Sequence, residues 1–133
     1  KVYSPAIGNG EADVLVAFEK VEAARYIHQL KKGGVLIVNN AEMYPLPVLV
    51  GREKYPEGVI ESLEKTVENT KVINAREVAE KLGEVRAQNI VMLGCLVKAL
   101  GLEDINWVDL IKENLPERLH EVNIKAFQKG LSL

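Results

Sequence analysis

Four polar side chains stand where two apolar runs stop. Glu19 and Glu22 follow residues 13–18 (DVLVAF), while Asn39 ends residues 35–39 (VLIVN) and Asn40 comes next. Carboxylates and side-chain amides in such places hydrogen-bond to a ligand's hydroxyl and amide groups, which is binding chemistry rather than covalent catalysis. Glu19, Glu22, Asn39 and Asn40 are therefore the candidate cofactor-binding residues. A structural reading stands beside this one. The helix macrodipole favours carboxylates near a helix start, and asparagines suit turns. The remaining reactive side chains group poorly. His28 and His120 lack a thiol or a clustered carboxylate partner, so they read as surface or interface histidines without a metal role. Cys95, inside VMLGCLV, reads as a small core hydrophobe with its thiol kept protonated by apolar neighbours. No triad, carboxylate dyad or nucleophile elbow is spelled out, and no catalytic residue is assigned.

The elements that would position the four residues form a strand, helix and strand. Near-continuous apolar runs suit strands covered on both faces of a parallel sheet. Between them Ala23, Ile27 and Leu30 recur at helical spacing, and Lys32, Gly33 and Gly34 are expected to end that helix. A right-handed crossover follows, and an open α/β sheet binds ligands beyond its carboxyl strand ends. Ahead of this unit, Val2 and Tyr3 suit a short edge strand. Gly8-Asn9-Gly10 reads as a plain turn, because a dinucleotide loop would follow a strand rather than precede one.

Downstream, residues 41–55 make a long connection with Pro45 and Pro47 and an expected short strand at residues 48–50. A helix over 57–69, with Ile60, Leu63 and Val67 inward, leads to a strand over 71–75 and a brief helix over 76–82. From Val85 on, only helices are expected: residues 86–100, 107–114 capped by Asn106, and 116–130 starting at Pro116. The predicted fold is α/β, a Rossmann-like three-layer sandwich with a mostly parallel sheet and an all-helical C-terminal third. Residues 90–97 (IVMLGCLV) carry no charge, so that helix must be buried on all sides. Gly94 is expected to allow close helix packing there. On the last helix Leu119, Val122 and Ala126 mark one apolar face and Ile124, Phe127 and Leu131 another. The second trio is the candidate interface, with a partner chain or a second copy of this one.

Composition narrows the function class. The 133 residues, 47% hydrophobic, suit a single domain, residues 1–133. A formal net charge of -2 with mixed signs argues against nucleic acid as partner. No run approaches the ~20 apolar residues that cross a bilayer, so no membrane role is expected and the chain reads as cytoplasmic. One cysteine supplies too few thiolates for an iron–sulfur cluster or a structural zinc site.

Taken together, GEADVLVAFEKVEAARYI, GGVLIVNN, NIVMLGCLVKALG and NIKAFQKG resemble the gamma-type domain of 2-oxoacid:ferredoxin oxidoreductases, the indolepyruvate enzyme's beta subunit above all. The resemblance runs from about Tyr3 to Gly130. Family members open with a strand and a G-x-G-G-Q-G loop that this sequence does not contain, which implies a family domain lacking its N-terminal segment. The resemblance implies an accessory subunit of an enzyme that converts an aryl 2-oxoacid and coenzyme A to acyl-CoA and CO2 while reducing ferredoxin. Thiamine diphosphate, magnesium and iron–sulfur clusters would lie on a large catalytic subunit, and the isolated chain would be inactive. Two alternatives are a stand-alone Rossmann-like nucleotide-binding domain, though no glycine loop follows the first strand, and a structural assembly module.

Overall fold

The computed structural model describes residues 6–133, so the expected strand at Val2 and Tyr3 lies outside the described residues. The chain divides into two compact units, Lys1–Val72 and Ile73–Leu133. The first holds β1 (Ala12–Ala17), α1 (Lys20–Tyr26), β2 (Leu30–Asn39), α2 (Leu46–Leu49), α3 (Val59–Thr66) and most of β3 (Thr70–Ile73). The strands form one parallel sheet in the order β1-β2-β3. Val14, Leu15, Val16 and Ala17 of β1 face Val35, Leu36, Ile37 and Val38 of β2. Leu36, Ile37 and Val38 are all fully buried, as a central strand covered on both faces requires. Leu36 and Val38 meet Ala17, Ala23 and Leu63, with Ile27, Ile60 and Val67 packed around them. Helices α1 and α3 thus give this sheet face its core.

Three local expectations are corrected. Leu30 does not extend the helix: α1 stops at Tyr26, a 3-10 turn (Ile27–Gln29) follows, and β2 begins at Leu30 itself. Gly33 and Gly34 consequently sit inside β2. Ala12 faces Leu30 whereas Val14 faces Val35, so β2 bulges between those pairs. Gly33 takes φ 78°, which L side chains rarely adopt, and a Cβ on Gly34 would come 3.0 Å from the Asp13 carbonyl oxygen. The glycine pair permits a bulge, not a helix cap. Residues 48–50 form no strand either, because α2 occupies Leu46–Leu49. Pro47 falls in its first turn, where a missing N–H loses no helix bond. The Gly8-Asn9-Gly10 segment is a turn as expected, with Gly10 N–H donating to His28 O at 3.1 Å.

Past Ile73, the described residues of the second unit form helices: α4 (Ala75–Lys81), α5 (Gln88–Leu100), α6 (Trp107–Asn114) and α7 (His120–Ser132), with 3-10 turns at Val85–Ala87 and Glu117–Leu119. Asn106 caps α6 as predicted, accepting from Asp109 N–H at 3.3 Å. Pro116 precedes the last helix instead of opening it, since the 3-10 turn intervenes. No residue of 90–97 is exposed, in keeping with their uncharged run, and Cys95 is buried among them. Gly94 and Gly130 bring the α5 and α7 backbones together.

The expected interface trio lies in the same region. Phe127 is 3% exposed and clusters with Val97 and Ile111, while Ile124 and Leu131 are half-buried against the same group. The Trp107 ring lies 5.9 Å from that of Phe127, centroid to centroid. Both α5 and α6 pack on α7, and Ala126 of the other stripe is buried as well. A partner chain is not what buries Phe127. Both histidines bond to backbone carbonyls: His28 donates from Nδ1 to Arg25 O at 3.0 Å and His120 from Nε2 to Leu115 O at 2.7 Å. No described helix is long and apolar enough to cross a membrane.

Candidate functional site

β1 and β2 run in parallel, so their carboxyl ends deliver Glu19 and Asn39 to the same edge of the first unit. Glu19 has extended backbone (φ -150°, ψ 141°) and caps α1: its Oε2 accepts from Glu22 N–H at 2.9 Å. Its other oxygen accepts from the Tyr55 hydroxyl. Both carboxylate oxygens are therefore engaged, and Glu19 is only 5% exposed. Asn39, 2% exposed, donates from Nδ2 to Phe18 O at 3.3 Å and so ties the end of β2 to that of β1. Glu22 points outward and pairs with Arg25 at 3.1 Å; Asn40 is exposed. The four predicted residues do gather at one edge. Two of them hold the scaffold, and Glu22 and Asn40 are the ones at the surface.

Sequence reasoning missed a second layer contributed by the long connection. Lys20 Nζ lies 2.5 Å from Glu42 Oε1 and 5.4 Å from the Tyr55 ring centroid. Tyr44 donates its hydroxyl to Glu42, and its ring meets that of Tyr55 edge-on, centroids 5.1 Å apart at 78°. The connection is thus fastened twice to the strand ends, through Tyr55 on Glu19 and through Glu42 on Lys20. Two of the chain's four tyrosines in one proline-rich connection were the available signal. Beneath the connection is an open cleft of about 420 Å³, where Val21, Met43 and Val48 provide apolar walls and Arg25 and Lys54 provide cations.

Electrostatics hold Tyr55 neutral and Glu42 ionised near neutral pH. Burial, then the bond to Glu19, raises the Tyr55 phenol well above its ordinary range, so Tyr55 is a neutral donor at any physiological pH. The Lys20 and Tyr44 hydrogen bonds lower the Glu42 carboxyl. Among the described residues no three His, Cys, Asp or Glu side chains gather as a metal site would need. The sign for Tyr55 follows from linkage. Its phenol ionises near 10 when unfolded and higher when folded, so its contribution is complete below about pH 10 and falls away above it. Melting temperature is expected to drop as pH rises above about 10, and Tyr55→Phe to flatten that drop. An identical slope in the variant would remove Tyr55 from the clamp.

The whole chain, residues 1–133, matches the family model described as pyruvate ferredoxin/flavodoxin oxidoreductase. The chain belongs to this family. Within it, an indolepyruvate oxidoreductase subunit IorB of Archaeoglobus fulgidus is 36% identical over 135 residues, covering 97% of this chain and 66% of that protein. The IorB subunit of Pyrococcus horikoshii is 35% identical, covering 98% of this chain and 67% of that protein. Among solved structures, the gamma subunit of a keto/oxoacid ferredoxin oxidoreductase from Geobacter sulfurreducens superposes with a TM-score of 0.65 at 26% identity, covering 92% of this chain and 64% of that one. The chain therefore spans about two thirds of the length of the family members it matches.

Proposed function

We propose that this chain is an accessory domain of a 2-oxoacid ferredoxin oxidoreductase, of the indolepyruvate type. The assembled enzyme would convert an aryl 2-oxoacid and coenzyme A to acyl-CoA and CO2 and pass the electrons to ferredoxin. Similarity along nearly the full chain to proteins named as indolepyruvate oxidoreductase subunits carries this reading. Thiamine diphosphate, magnesium and iron–sulfur clusters belong on the large catalytic subunit, since Cys95 is buried and the buried strand-end carboxylate is occupied. Coenzyme A would approach along the cleft lined by Glu19 and Glu22, with Asn39 tying the two strand ends together and Asn40 exposed at the end of β2.

The long connection is the surface we assign to the large subunit. Leu46 and Leu49 are 70% and 68% exposed, next to exposed Met43 and Val50. Contiguous exposed apolar surface of this kind marks an interaction site. The fastening of the connection to Glu19 and Lys20 holds it in shape before a partner arrives, which reduces the ordering cost of association. The test is co-expression with the cognate large subunit. The pair is expected to co-purify and to reduce ferredoxin with an aryl 2-oxoacid and coenzyme A, and this chain alone to do neither step. Full activity of the large subunit by itself, or turnover by this chain alone, would overturn the assignment. Leu46→Asp with Leu49→Asp is expected to weaken association by on the order of 2 kcal/mol, with the melting temperature unchanged. Undiminished co-purification of that double variant would move the contact elsewhere.

A further inference from the structure

A cleft of about 400 Å³ in the second unit is built from the chain segments that lead into its two longest helices. Residues 84–90, entering α5, supply Glu84, Arg86, Asn89 and Ile90; residues 115–123, entering α7, supply Leu115, Arg118, Leu119 and Asn123. Neither Arg86 nor Arg118 has an ion-pair or side-chain hydrogen-bond partner among the described residues. That sets them apart from Arg25 and Arg76, which are paired with Glu22 and Glu80. Asn123 is 5% exposed, and one of its amide protons is spent on Leu119 O at 2.8 Å. Asn123 lines the cleft beside Leu119. The negative group in the wall, Glu84, already accepts from Arg86 N–H at 3.0 Å through Oε1. Helices α5 and α7 both begin at this cleft, so the positive ends of two macrodipoles add to the two guanidiniums.

We infer that this cleft binds a phosphate group. Two guanidiniums and two side-chain amides lining one cleft from separate segments offer more donors than its one carboxylate can accept, whereas the oxygens of a phosphate can take them. Ile90, Leu115 and Leu119 add an apolar wall that a phosphate ester would contact and inorganic phosphate would not. The site is distinct from the strand-end cleft and stands whether or not the oxidoreductase assignment holds.

The probes are inorganic phosphate and phenyl phosphate, titrated into the full chain at constant ionic strength and followed by the side-chain NMR signals of Asn89, Asn123 and the two arginines. Saturable shifts confined to these residues are expected with phosphate and not with chloride. Arg118→Gln is expected to weaken binding about tenfold or more, and Arg86→Gln with Arg118→Gln to abolish it. These side chains are exposed, so the variants should keep the wild-type melting temperature. Tighter binding of phenyl phosphate would identify an ester as the ligand, and equal binding would identify the free ion. Non-saturating shifts, equal shifts with chloride, or undiminished binding in the double variant would overturn the inference.

Discussion

Gly130→Ala is expected to destabilise the second unit by about 3 kcal/mol, the upper part of the range for overpacking, and Gly94→Ala by a similar amount. A Cβ on Gly130 would overlap the Val91 carbonyl oxygen and lie 2.9 Å from Gly94 Cα; one on Gly94 would overlap the Phe127 carbonyl oxygen and lie 2.8 Å from Gly130 Cα. The obstacles are backbone atoms of a neighbouring helix. No side-chain rotation relieves them, so α5 and α7 would have to separate. In an open helix the same substitution would stabilise by roughly 0.5 to 1 kcal/mol, because glycine loses more entropy on folding. The prediction therefore concerns sign as well as size. Chemical denaturation of the two variants checks it, and a midpoint at or above wild type would mean that the helices do not approach through these glycines.

The parallel core was legible because burial leaves a plain trace in sequence. Residues 35–39 read as a strand covered on both faces, and Leu36, Ile37 and Val38 are fully buried. Residues 90–97 read as a helix without a solvent face, and none of them is exposed. What escaped was local backbone geometry and long-range side-chain pairing. Gly33 and Gly34 suit a helix end as well as a bulge, since both need only a permissive φ, and pairing with β1 decides between them. The Pro45-to-Val50 stretch has strand-like composition, yet the prolines fit the first turn of α2. At the candidate site, the common edge of Glu19, Glu22, Asn39 and Asn40 was read from position alone, at the ends of two strands. Which of them remain at the surface depends on Tyr55, 36 residues from Glu19 along the chain. No short-range pattern encodes that contact.

Phe127→Asp is expected to abolish cooperative folding of the second unit instead of merely weakening an association. Deleting a buried phenyl group costs about 3 to 5 kcal/mol, and a carboxylate without a partner in the same place adds a desolvation penalty. Phe127 packs on Trp107, Val97 and Ile111, none of which presents a cation to the new charge. Total stability of a domain is ordinarily about 5 to 15 kcal/mol, so the loss takes most of it. Loss of helical circular dichroism with a broadened or missing thermal transition is the expected readout. Phe127→Leu keeps an apolar side chain and is expected to lose less than the about 3 to 5 kcal/mol of deleting the phenyl group, with the transition intact. The pair separates two uses of the α7 stripe formed by Ile124, Phe127 and Leu131. A stripe that served only to bind another chain would leave the Phe127→Asp variant folded, with a normal melting temperature and altered mass in light scattering. A stripe that holds α7 against α5 and α6 gives the unfolded variant, and the burial of Phe127 requires that outcome.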